Sequence, residues 1–158
     1  MSVSGDERSV TTDGFLAEVS GPLKQALVGA LGQQRGQDAH AYAMAYAWEH
    51  SDRIAAMSSP VGYLFKVGRS SVRDRRKQIP VSFATPDPAD QPEFEPRLPA
   101  AMGALPEKQR LAVVLVVGYG WSFAEVGRLT GKSEGTVRGL VDRGMQRLRR
   151  DLNVEETP

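Results

Sequence analysis

The stretch that most restricts the folding of this chain is "PVSFATPDPADQPEFEPR", residues 80–97. Five prolines remove backbone donors and clash with any helix, and four acids against the single Arg97 leave little apolar surface to bury. A linker is therefore predicted over 80–97. It divides the chain into a module at 13–79 and a second at 98–152, flanked by a flexible start at 1–12 and a tail at 153–158. Each module is too short to bury a large core on its own. The prolines favour a semi-extended linker, which should hold the modules apart by several tens of Å at most.

With 158 residues, 41% hydrophobic and 25% charged, the composition is that of a globular chain. Cysteine is absent, which rules out disulfides and thiolate metal sites; with no secretory-type amphiphile at the start, a reducing cytoplasm is expected. No apolar run is long enough to predict a membrane span. The net charge of +1 hides an uneven distribution, because residues 66–77 and 131–150 hold more than half of the 20 Lys and Arg.

The C-terminal module has the clearest local signals. In "LPEKQRLAVVLVVGYG", Pro106 suits a helix start, Leu111, Val114 and Leu115 follow at helical spacing, and Gly118 and Gly120 end the helix. Ser122 and Glu125 form an S-x-x-E capping box for a short helix that buries Phe123, Val126 and Leu129 and stops at Gly131. Ser133 caps the next helix. A short helix, a glycine turn and a longer basic helix predict a helix-turn-helix.

At 3.6 residues per turn, Val137, Leu140, Val141, Gly144 and Leu148 share the core arc of the last helix. Gly135, Gly139, Asp142, Arg143, Gln146 and Arg150 lie opposite, with Thr136, Arg138 and Arg149 at the edges. Mid-helix glycines cost about 1 kcal/mol each relative to alanine. That cost makes sense where the backbone must approach a bulky partner such as a DNA major groove. Ser133, Thr136, Arg138 and Arg143 would then reach base edges and nearby phosphates, and Arg147, Arg149 and Arg150 the backbone. A solvated face on an ordinary bundle is the plain alternative.

In the N-terminal module, "AYAMAYAWEHSDRI" is apolar or small nearly all round and predicts a helix buried on several sides. A second helix starts at Pro60 and turns Val61, Leu64, Phe65, Gly68 and Val72 inward. Beside that face Lys66, Arg69, Arg73 and Arg76 recur at intervals of three, four and three, extended by Arg75 and Lys77. Such a stripe is a solvated face in most proteins; next to a DNA-binding module it is also a candidate for phosphate contacts.

The segment "LPEKQR…GWSFAEVGRLTGKSEGTVRGLVDRGMQRLR" resembles the promoter-binding C-terminal region of extracytoplasmic-function sigma factors of bacterial RNA polymerase. Leu105, Pro106, Gln109, Arg110, Gly120, Ser122, Glu125, Leu129, Ser133, Gly135, Thr136, Val137, Leu140, Arg143 and Leu148 carry the likeness over some fifty residues. The resemblance implies that the last helix reads the minus-35 element. The pattern W-x-x-x-D-R-I, P-x-x-Y-L, D-R-R, in Trp48, Asp52, Arg53, Ile54, Pro60, Tyr63, Leu64, Asp74 and Arg75, is similar to that family's other conserved region. From it follow polymerase contacts at Asp38, Trp48, Asp52 and Arg53 and minus-10 contacts at Lys66, Arg69, Arg73, Arg76 and Lys77. There are two departures. Of the family's acidic D-x-x-Q-E cluster the chain keeps Asp38 but has Ala41 and Tyr42, and Arg69-Ser70 stands in place of an Arg-Asn pair.

The expectation is thus an all-α chain of two modules, with RNA polymerase core and promoter DNA as partners and room for an anti-sigma factor. A degenerate sigma-like regulator, or a protein-binding adaptor that does not drive initiation, stays open beside it. His40 and His50 lack metal-ligand spacing, so no metal or cofactor is expected. Tyr42, Met44, Tyr46 and Trp48 recur as a stripe of the kind that is ordinarily core. "GALGQQRG" does not have the order of a phosphate loop, and no catalytic constellation indicates an enzyme.

Overall fold

The computed structural model describes residues 3–72 and 96–153, with side chains from Thr12 onward. Among them every regular element is helical: α1 (Val3–Leu31), α2 (Gln33–Glu49), α3 (Ser51–Ala55), α4 (Pro60–Ser71), α5 (Leu98–Ala104), α6 (Glu107–Val113), α7 (Phe123–Thr130) and α8 (Glu134–Asp151). A π-helical turn, Val114–Gly118, ends the run begun by α6. The predicted linker and Arg73, Asp74, Arg75, Arg76 and Lys77 lie outside the described residues, apart from Pro96 and Arg97 at the linker's end.

The backbone of residues 3–12, expected as a frayed start, continues into α1. That helix was not read from the sequence, although Val19, Leu23, Ala26, Leu27, Ala30 and Leu31 line its buried side. Pro22 and several glycines interrupt the pattern and disguise it. α1 and α2 form a hairpin that turns at Gly32, whose φ of 88° favours glycine. The glycines of "GALGQQRG" thus have a packing role. A Cβ at Gly36 would lie 2.5 Å from the Val28 Cα, so the crossing requires glycine.

α2 differs from its predicted burial on several sides. Its small residues Gly36, Ala39, Ala43 and Ala47 are buried, while Tyr42 and Trp48 are 55% and 54% exposed and Met44 and Tyr46 half-buried. Small side chains let α2 approach α1 and α4 closely, which turns the large ones outward. α4 follows its predicted face, with Leu64, Phe65, Gly68 and Val72 buried.

The two modules are packed together, whereas the linker was expected to hold them apart. Leu111, Leu115, Val126, Leu129 and Val137 belong to the same apolar cluster as Leu23, Leu27, Ile54 and Leu64. Full burial of a side chain of this size stabilises by about 1.5–3 kcal/mol, so several such contacts across the seam outweigh any single surface interaction. A smaller cluster of Ala101, Leu105, Val113 and Leu148 ties α5 and α6 to α8. Gly144 permits that crossing, since a Cβ there would meet Val113 Cγ2 at 2.6 Å.

Arg110 is a buried cation at the seam, 4% exposed. Its Nη1 donates to the Leu105 carbonyl at 2.8 Å, Nε to the Gly29 carbonyl at 3.3 Å, and Nη2 to the Ala30 carbonyl. The last carbonyls of a helix have no partner within it and carry the negative end of its dipole. Arg110 therefore caps α1 from the other module.

Candidate nucleic-acid interface

The short helix of the C-terminal module starts at Ser122, whose hydroxyl accepts the Glu125 N–H at 3.0 Å. It ends at Gly131, in the left-handed region at φ 72°. The chain then doubles back so tightly that a Cβ at Gly127 would lie 2.6 Å from the Lys132 carbonyl oxygen. Ser133 accepts the Thr136 N–H at 3.2 Å and starts α8. These caps and the glycine turn build the predicted helix-turn-helix, although helix α6 begins at Glu107, with Pro106 as its cap rather than its first residue.

α8 turns Val137, Val141, Gly144 and Leu148 into the core and half-buries Leu140. Ser133, Thr136, Arg138, Arg143, Arg147, Arg149 and Arg150 are all exposed. The rest of the chain leaves this face uncovered. At 3.6 residues per turn, Thr136, Arg143, Arg147 and Arg150 form one flank, and Arg138 and Arg149 lie about 140° round the axis on the other. Gly135, Gly139, Asp142 and Gln146 lie between the flanks, opposite the core.

That arrangement suits a groove, with cations on both walls and the thinnest part of the helix on the floor. Nothing within 4 Å would meet a Cβ at Gly135, and at Gly139 only the Arg143 guanidinium comes close, at 3.2 Å. Internal packing therefore gives no reason for either glycine. The Arg138 guanidinium lies 5.0 Å from the centre of the Phe123 ring, a cation–π contact that fixes its starting position. The Ser133 hydroxyl is already engaged, bonding Thr136 Oγ1 at 2.9 Å as well as capping, so its first role is structural.

On the N-terminal module, Lys66 is exposed and Arg69 is paired with Glu107 of α6 at 2.5 Å. Arg73, Arg76 and Lys77, the rest of the predicted stripe, lie outside the described residues. Asp38, Trp48 and Asp52 are exposed. Asp38 accepts from Gln34 Nε2 at 3.2 Å. Arg53 donates to the Tyr46 hydroxyl at 2.9 Å and lies 5.8 Å from the centre of the Tyr63 ring, while the two phenols are 3.3 Å apart. The bond from Tyr63, followed by that from Arg53, lowers the Tyr46 phenol; the same bond raises Tyr63. The Tyr46–Tyr63–Arg53 group was not read from the sequence as a unit, because a helix turn and a loop separate its members.

His40 joins α2 to α1, its Nε2 lying 3.1 Å from the Ser20 carbonyl oxygen. Burial lowers its pKa below the ordinary histidine value, the Ser20 bond opposes that shift, and Lys24 adds to it. Among the described residues no group of His, Asp or Glu could hold a metal ion, and no helix is long and apolar enough to cross a membrane.

Residues 101–150, which span α6, α7 and nearly all of α8, match the family described as Sigma-70, region 4. The matched residues begin within α5, three residues after its start at Leu98. The chain is 42% identical over 73 residues to the RNA polymerase sigma factor CarQ of Myxococcus xanthus, a match covering 46% of this chain and 41% of CarQ. The matched part is thus less than half of either protein. The fold is similar to that of the sigma factor RpoE of Bartonella quintana, solved in complex with the anti-sigma factor NepR. The TM-score is 0.64 at 20% identity, over 90% of this chain and 96% of that one. The likeness to RpoE extends the shared fold well beyond region 4.

Proposed function

We propose that this chain is an RNA polymerase sigma factor of the extracytoplasmic-function type, acting in the cytoplasm by binding rather than by catalysis. The observation that carries this is the uncovered arginine-bearing face of α8 within region 4, with two glycines that internal packing does not require. Its N-terminal module engages polymerase core through the exposed Asp38, Trp48 and Asp52 and the tyrosine-bonded Arg53. Lys66 and Arg69, continued by Arg73, Arg76 and Lys77, meet the minus-10 region. α8 docks in the minus-35 duplex. Arg138 and Arg143 reach base edges from opposite flanks, Thr136 supports them, and Arg147, Arg149 and Arg150 follow the phosphates. Each module alone neutralises few phosphates; joining both to polymerase raises the effective concentration of the second contact. An anti-sigma factor is a natural partner, since the similar RpoE was solved bound to one.

A second reading, a sigma-like DNA-binding regulator that does not drive initiation, is favoured by one feature: Ala41 and Tyr42 are exposed where the resembling family carries the Gln-Glu end of its polymerase-facing D-x-x-Q-E cluster, of which this chain keeps only Asp38. Reconstitution with core polymerase and a promoter fragment separates the two. Run-off transcript that depends on the protein is the expected result. Binding of duplex without core and without transcript supports the regulator instead, and the absence of DNA binding even at low salt contradicts both.

A further inference from the structure

Of the cations on the uncovered face of α8, Arg138 is held by a side chain of another helix. Its guanidinium carbon lies 5.0 Å from the centre of the Phe123 ring. That ring is half-buried and packs against the apolar cluster that contains Val126, Leu129 and Val137, so it is fixed from beneath. Phe123 follows directly on the Ser122 cap of α7, and Arg138 stands in the second turn of α8, after the Ser133 cap. The tight passage from Gly127 to Lys132 sets one helix against the other. By contrast, Arg143 lies over Gly139 of its own helix, and Arg150 reaches Asp151 of its own helix at 3.7 Å.

The kind of partner decides what the arginine can still do. A guanidinium carries its five N–H donors around the edge of a plane. A carboxylate partner occupies those donors, whereas an aromatic ring attracts the charge without lone pairs to bind them. None of the ion pairs among the described residues uses Arg138. The contact with Phe123 therefore restrains the side chain and leaves its donors available. Two parallel donors on one edge match O6 and N7 of guanine in the major groove.

We propose that Phe123 is a specificity-determining residue of the minus-35 contact: it positions Arg138, with its donors free, to read a guanine. The proposal rests on the docking of α8 in duplex DNA argued above and adds the residue that sets its base preference. An arginine loose in solvent gives up rotamer freedom when it orders on a base edge. One already held by a ring gives up less, and does so only where the base edge meets it in that place. Phe123 thus sharpens discrimination at one base pair instead of raising affinity for every duplex. Leucine at position 123 keeps the apolar packing and loses the attraction.

The full-length chain is titrated by fluorescence anisotropy against a duplex it selects and against copies with each base pair substituted in turn. The pair whose preference R138A relaxes locates the base that Arg138 reads. There F123L is expected to lower discrimination about two- to fivefold, the range of a cation–π contact at an exposed site, with preferences at other pairs and the salt slope unchanged. Pentafluorophenylalanine at position 123 keeps the shape of the ring and reverses the charge of its face, so it should act as leucine does, while F123W should retain the discrimination. Replacing the guanine by 7-deazaguanine, which removes N7, should weaken binding by the unaltered chain and leave R138A unaffected. Three results overturn the proposal: full discrimination with the fluorinated ring, an equal loss at every pair, or a pair other than G·C at the position R138A relaxes. If F123L unfolds, the fluorinated isostere decides alone. No sequence preference in the unaltered chain, or none that R138A relaxes, sinks the groove-docking reading instead.

Discussion

Replacing Arg110 by methionine keeps much of the apolar stem and removes all five donors. Two of the bonds lost, to the Leu105 and Ala30 carbonyls, are short ones from a buried charged donor; the bond to Gly29 is longer, at 3.3 Å. Hydrogen bonds to charged groups contribute about 1.5–3 kcal/mol each, so two strong ones amount to about 3–6 kcal/mol. The whole stability of a domain is about 5–15 kcal/mol. Urea denaturation followed by far-ultraviolet circular dichroism should therefore show a much lower midpoint for R110M. Arg110→Lys should recover less than half of the loss, since an ammonium cannot reach carbonyls on both sides of the seam with a planar fork. A loss below about 1 kcal/mol for R110M would refute the view that this residue caps α1 from the other module.

Gly135→Ala should raise helix stability by up to about 1 kcal/mol, because no neighbour meets the new methyl, while weakening duplex binding; thermal melts and fluorescence anisotropy read the two effects. The triple variant R147A/R149A/R150A should reduce the salt slope of log K by about 2.7 and leave base preference unchanged, as three lost phosphate contacts require, measured by titration over several salt concentrations. His40 has a folded pKa below its unfolded value, so its contribution is present above about pH 6.5 and is lost as the pH falls through the lower, folded value. Chemical denaturation across acidic pH should show this decline in the native chain and a flatter profile in H40Q.

The capping serines, the glycine turn and the apolar arc of α8 were legible in the sequence because each is a local signal, read within one helix turn of its cause. Burial along α2 was misread because Tyr42 and Trp48 are large and apolar, yet a ridge of glycine and alanine does the packing, and tight helix crossings select small side chains. α1 went unread because Pro22 and its glycines mask a regular apolar spacing. The role of Arg110 needs carbonyls some eighty residues away, and the pairing of Arg69 with Glu107 crosses the linker. The outward direction of the α8 arginines followed from periodicity alone. Their separation into two flanks became apparent with Arg138 placed on Phe123 and Arg143 over Gly139.

The most direct test of the groove-docking face of α8 is the affinity of the unaltered chain and of R138A for duplexes selected by the full-length protein, with each base pair substituted in turn. The expected result is a loss of about 1–3 kcal/mol for R138A on the selected sequence and a relaxed preference at one base pair. Unchanged affinity and preference at every position would contradict the docking of this face in DNA.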